Sequence, residues 1–227
     1  MEKIKNSIAS LFVKAGISAD FLTYLGLAAA LMSGIMITQG IFFCAGIILI
    51  ISGFLDLMDG AVARLSKKVK PFGGILDSSL DRYGDGFVIT GLFFYFARHG
   101  KDLHAALAAS ALLGSFLISY VRARAECVIQ KCKIGFWERG ERVVYLAMGL
   151  LFDNIVLVLW ILAVATHWTA LSRLYYAKKE SENPGYWERK KDPVLDFLLP
   201  GKGRHHWAYY IKIMSLLLAV LLIRIPT

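Results

Sequence analysis

The chain has 227 residues, 57% of them apolar, and a formal net charge of +9. Its mean hydropathy of +0.55 excludes an ordinary soluble domain, because a bilayer core needs only about 20 consecutive apolar residues per helix and several such runs occur here. The charge does not point to nucleic acid, since lysines and arginines cluster in short segments between apolar runs, as in loops facing an anionic leaflet.

The opening stretch, MEKIKNSIASLFVKAG, is too polar for the apolar core of a secretory signal. It predicts an amphipathic juxtamembrane helix within residues 1–18. Six apolar segments follow: Phe21 to Thr38, Ile41 to Leu57, Ile75 to Ala97, Leu103 to Val121, Val143 to Phe152 and Ile155 to Leu174. The fifth is short, and spans only if a tilted helix runs back through Glu141 and Arg142 into a polar pocket. A seventh stretch, Trp207 to Ile223, is interrupted by Lys212, so it either spans or lies in the interface. The expected fold is an all-α integral membrane protein. Its membrane domain covers residues 19–176, followed over 177–227 by a basic cytoplasmic linker and a C-terminal apolar segment.

Basic residues precede the first span (Lys3, Lys5, Lys14) and follow the second (Arg64, Lys67, Lys68, Lys70). They also follow the fourth (Arg122, Arg124, Lys131, Lys133) and the sixth (Lys178, Lys179, Arg189, Lys190), while Arg98 and Lys101 stand opposite. The N-terminus and the even-numbered exits are therefore expected on the cytoplasmic side. Cys44 lies in an apolar run, and Cys127 and Cys132 lack the companions of a zinc site. The five histidines show no ligand spacing, and the aromatics near span ends read as an interfacial belt.

Chemistry concentrates in DLMDGAVARLSKKVKPFGGILDSSLD. Asp56 and Asp59 are three apart, Asp77 and Asp81 four apart, so each pair shares a helical face. Gly60, Pro71, Gly73 and Gly74 permit a tight reversal between them. Four converging carboxylates repel strongly in a low-dielectric setting. Two divalent cations resolve that repulsion, and oxygen-only ligands favour Mg²⁺ or Mn²⁺. Two such ions can clamp a diphosphate, Gly60 allows close approach of a ligand, and Arg64 can fork onto phosphate. The bland alternative is a solvated helix end. A transporter using aspartates for ion coupling is a rival of another class, but the acids sit beside a basic loop, not at the membrane midplane.

The run Asp56-x2-Asp59-Gly60-x2-Ala63-Arg64-x8-Gly73-x3-Asp77-x3-Asp81 resembles, without gap or substitution, the signature of the CDP-alcohol phosphatidyltransferases. The resemblance implies a six-helix, homodimeric membrane enzyme that transfers a phosphatidyl group from CDP-diacylglycerol to an alcohol and releases CMP. It also implies that Asp56, Asp59, Asp77 and Asp81 surround two metal ions, with Asp81 as general base for the acceptor hydroxyl. Gly60 and Arg64 would face the CDP moiety. Asp20-Phe21-Leu22-Thr23 is similar to the family's early nucleotide-contacting segment, although many members carry Pro-Asn where this chain has Ala19-Asp20. Lys70 stands where some relatives place a hydroxyl residue near the nucleotide. No Ser, Cys or His occupies a nucleophile position, which favours direct displacement over a phosphatidyl-enzyme.

Arg122, Arg124 and Arg173 form three cytoplasmic guanidiniums suited to a phosphate pocket, or else simply contact lipid headgroups. SYVRARAE (Ser119 to Glu126) and the ERGER run at Glu138 to Arg142 resemble segments of the phosphatidylinositol phosphate synthases, with Arg122 replacing a lysine. Pro200-Gly201-Lys202-Gly203 is similar to that subfamily as well. The resemblance implies inositol 1-phosphate as acceptor, the alternatives being glycerol 3-phosphate or an archaeal ether-lipid donor. Glu138 to Arg142 admit a second reading, as charge pairs along the helix entering the fifth span.

Overall fold

The computed structural model describes residues 2–66, 71–132, 134–135 and 137–185. Lys70, the Pro200 to Gly203 string and the Trp207 to Ile223 stretch lie outside them. Among the described residues there are seven helices and no strand: α1 (Glu2–Lys14), α2 (Ala19–Thr38), α3 (Phe42–Leu65), α4 (Pro71–Arg98), α5 (Asp102–Ala125), α6 (Arg139–Leu151) and α7 (Ile155–Glu182). The chain divides after Ala105 into two compact units.

Four helices, α2, α3, α5 and α7, are long and apolar enough to cross a membrane. They carry many exposed large apolar side chains, among them Leu31, Ile47, Leu113 and Val164. Such exposure is unfavourable in water but ordinary against lipid, where a helix already satisfies its own backbone groups. Of the six expected spans, α4 has 28 residues but carries Asp77, Asp81, Arg82 and Asp85. Helix α6 includes Glu141 and Arg142, as the tilted-span reading required, yet has only 13 residues. At 1.5 Å per residue that is about 20 Å, short of a hydrocarbon core of about 30 Å.

In the first unit α2 packs on α3 and α4, and α1 packs on α3. Small residues allow close approach, as expected where lipid supplies no hydrophobic drive between helices. A Cβ added at Gly34 would lie 2.5 Å from the Phe87 carbonyl oxygen, and one at Gly91 would lie 2.5 Å from that of Gly34. Two serines link α2 and α3: Ser33 donates to Ala45 O at 2.9 Å, and Ser52 to Gly26 O at 2.7 Å. The expected amphipathic helix forms as α1. Its Ala9 is buried with Leu22, Leu55 and Met58, while Ile8, Phe12 and Val13 cover their edge.

In the second unit α6 packs on α7. A short loop precedes α6, and in it Trp137 adopts φ 72°, a left-handed conformation costly for a bulky residue. Three contacts hold it. Glu141 Oε2 accepts the Trp137 N–H at 2.7 Å and the Glu138 N–H at 3.1 Å. Arg142 donates to the Trp137 carbonyl at 2.7 Å, and the Trp137 ring sits 4.8 Å from that of Tyr145.

Candidate active site

Helix α3 does not stop where the apolar run ends at Leu57; it continues to Leu65, so Asp56, Asp59, Gly60 and Arg64 lie on one rigid helix. Helix α4 opens at Pro71, a residue suited to a first turn because its missing N–H has no helical partner there. The two helices bring carboxylate oxygens of Asp56, Asp59 and Asp77 within 4.8 Å of one another. Asp59 is only 5% exposed. An oxygen-only set of carboxylates this close, with one member buried, fits a hard divalent cation that offsets its mutual repulsion.

Asp81 is not in that group. It lies one turn further along α4, which places it about 6 Å farther along the helix axis, and its carboxylate stands 3.9 Å from Arg82. It is half-buried, its side chain 16% exposed.

A cleft of about 360 Å³ opens beside the cluster, within the size range of small-ligand pockets. Its walls include Val13, Ile17, Ser18, Asp20, Thr23, Asp59, Gly60, Arg64 and Asp77. Of the four residues in the expected nucleotide segment, Asp20 and Thr23 line it. Phe21 and Leu22 do not: Phe21 is 56% exposed and Leu22 is buried in the core beside Leu55. Helical periodicity explains the split, since positions three apart share a face and the intervening two turn away. The Ser18 side chain caps α2 by accepting the Phe21 N–H at 3.2 Å, which fixes the turn entering this wall. Thr23 donates its hydroxyl to Asp59 Oδ2 at 2.8 Å, a contact not apparent from the sequence.

The second unit holds the three arginines, in three different settings. Arg124 is exposed at the end of α5. Arg122 is half-buried, its Nε 3.2 Å from Glu126 and its Nη1 3.6 Å from Glu138. The Glu126 partner, four residues on, was legible from helical spacing, whereas Glu138 was not. Glu138 therefore meets Arg122 as well as its own helix, whose N3 backbone N–H its side chain accepts in a capping box. Arg173 is 2% exposed. Its Nε donates to Ile134 O and its Nη1 to Ile118 O, both at 2.9 Å, while Nη2 is buried with no hydrogen-bond partner among the described residues. Arg122, Arg142, Glu138 and Cys132 lie close enough to act on its charge. Cys132 is itself buried, and burial pushes its thiol above the ordinary range.

Comparison with known proteins decides the family. The CDP-alcohol phosphatidyltransferase profile matches residues 17–174. The chain belongs to that family. It is accordingly an enzyme of phospholipid biosynthesis, a CDP-alcohol phosphatidyltransferase, and an integral membrane protein. It is 34% identical to the archaetidylinositol phosphate synthase of Pyrococcus horikoshii, over 80% of this chain and 93% of that one. It is 36% identical to the phosphatidylinositol phosphate synthase of Cutibacterium acnes, over 62% of this chain and 69% of that one. Among solved structures it resembles the phosphatidylinositol phosphate synthase of Mycobacterium tuberculosis with CDP-DAG bound. There the TM-score is 0.72 at 29% identity, covering 84% of this chain and all of that one. The same synthase in complex with manganese and citrate gives 0.72 at 28% identity, covering 90% and 98%.

Proposed function

We propose that this protein transfers the phosphatidyl group of CDP-diacylglycerol to the hydroxyl of inositol 1-phosphate, giving phosphatidylinositol phosphate and CMP at the cytoplasmic face of the cell membrane. The observation that carries the reading is the Asp56–Asp59–Asp77 cluster at the wall of a cleft that Gly60 and Arg64 also line. The acceptor rests on the relatives: an archaetidylinositol and a phosphatidylinositol phosphate synthase share the inositol phosphate half of their names and differ in the lipid half. The lipid tails are therefore the less constrained choice, and an ether-lipid donor is the second reading.

In this proposal Asp56, Asp59 and Asp77 hold Mg²⁺ or Mn²⁺, two ions per site, with Asp81 at the edge of that set. The ions supply charge neutralisation of the diphosphate and of the departing CMP. Arg64 forks onto phosphate oxygens, Gly60 leaves room for the donor, and Asp20 and Thr23 line the nucleotide side. Asp81 accepts the proton of the acceptor hydroxyl while that oxygen bonds to phosphorus and the bond to the CMP oxygen breaks. Arg122, Arg124 and Arg173 bind the acceptor phosphate, and the enzyme works as a homodimer. Arg173 supports this role through its one unpartnered buried nitrogen.

The test is CMP release by purified protein with CDP-diacylglycerol and a panel of acceptors. We expect turnover with inositol 1-phosphate and Mg²⁺ or Mn²⁺, little with free inositol or glycerol 3-phosphate, and none with EDTA. Arg122→Ala should raise the KM for inositol 1-phosphate about 10- to 150-fold, the loss of one charge-assisted contact, with the KM for CDP-lipid unchanged. Equal use of inositol and inositol 1-phosphate by the parent overturns the acceptor assignment.

A further inference from the structure

We infer that Thr23 is a positioning residue of the cation site: its hydroxyl fixes the orientation of the Asp59 carboxylate so that the other oxygen is presented toward Asp56 and Asp77. This rests on the reading of the three aspartates as metal ligands.

The hydroxyl of Thr23 has a single hydrogen and two acceptors in reach, Asp59 Oδ2 at 2.8 Å and Ala19 O at 3.1 Å. The carboxylate is the nearer and the charged one, so it takes the hydrogen. The Ala19 carbonyl, one turn back on α2, lies on the side that threonine Oγ commonly occupies in a helix, which narrows χ1. Thr23 thus arrives in one rotamer, and Asp59 is clamped from a different helix. A buried carboxylate needs such a donor. Asp59 has little access to water that could orient it, at 5% exposure, and a free χ2 rotation would exchange the oxygen facing the cluster. Asp56 and Asp77 are less buried as residues. Because Ala19 and Asp20 belong to the same first turn of α2 that lines the cleft, the contact also ties the nucleotide wall to the ligand set.

The test measures binding of Mn²⁺ itself, by the paramagnetic resonance signal of free Mn²⁺, to detergent-purified full-length protein without CDP-lipid. Loss of a group that orients a metal ligand typically weakens metal affinity about 10- to 100-fold, so T23V should raise the Mn²⁺ Kd by that factor. T23S, which keeps the hydroxyl, should stay within about threefold of the parent. If T23V binds Mn²⁺ as tightly as the parent and instead loses affinity for CDP-lipid, Thr23 is a nucleotide contact and the inference is wrong. If the parent binds no Mn²⁺ and D59N changes nothing, the metal reading itself fails. Should T23V not fold, T23A lacks the hydroxyl without added branching and carries the same comparison.

Discussion

Arg173→Ala removes two hydrogen bonds that a charged donor makes to buried carbonyls, one on α5 at Ile118 and one in the loop at Ile134. Hydrogen bonds from charged groups contribute about 1.5–3 kcal/mol each, so the pair is worth about 3–6 kcal/mol. The cavity left by a fully buried arginine adds to that loss. For a chain of this length one kcal/mol moves the melting temperature by about 2–4 °C, which puts the expected drop at no less than about 6 °C. The assay is thermal unfolding of detergent-purified protein, followed by intrinsic tryptophan fluorescence, with Arg173→Lys alongside. Lysine keeps the charge but is a compact ammonium on a flexible stem, so it cannot hold both carbonyls as a planar fork does, and it should fall between the two. Where the lysine variant is folded at the assay temperature, its KM for inositol 1-phosphate should also rise. A melting temperature for Arg173→Ala indistinguishable from the parent's would refute the claim that this guanidinium joins α5 to the loop before α6.

Asp81→Asn should cut CMP release about 10²-fold or more, the scale of general base catalysis, while Mn²⁺ and CDP-lipid binding persist because Asp81 lies outside the three-carboxylate group. A variant with most of its turnover would move the base elsewhere. Cysteine alkylation followed by mass spectrometry should label exposed Cys127 and spare Cys132 in native protein at neutral pH. The Cys132 thiol is pushed up by burial, so its reactive thiolate emerges only above the usual thiol range, and labelling should rise with pH later than at Cys127. Equal labelling of the two at neutral pH would contradict the burial.

Much of the helical layout was legible because apolar runs of span length admit few alternatives. The ends were less so. Hydropathy places the end of the second span at Leu57, but the backbone carries α3 eight residues further, since Ala61, Ala63 and Arg64 are good helix formers whatever their polarity. Helix α7 likewise runs past Leu174 to Glu182, where Lys178 and Lys179 lie within 3.9 Å of Glu182. Hydropathy registers solvation, whereas helix continuation is a matter of propensity and pairing. The short α6 is the converse case. Its polar start is legible as charge pairing, but the contacts that stabilise it, Glu141 and Arg142 on the Trp137 peptide, need a left-handed residue that no spacing rule anticipates.

At the site, legibility follows sequence distance. Asp56 with Asp59, and Arg122 with Glu126, are one-turn relations that a 3.6-residue period makes visible. The same period misleads when used alone. Asp77 and Asp81 share a face, yet one turn separates them along the axis, so proximity to the α3 pair favours Asp77 over Asp81. That inequality bears on the chemistry proposed here. A carboxylate in contact with cations is held ionised and loses basicity. Asp81, displaced along the helix, stands apart from the three-carboxylate group. In the proposed reaction, the spacing of four residues would let two chemically identical side chains on one helix take different parts, Asp77 binding charge and Asp81 accepting the proton.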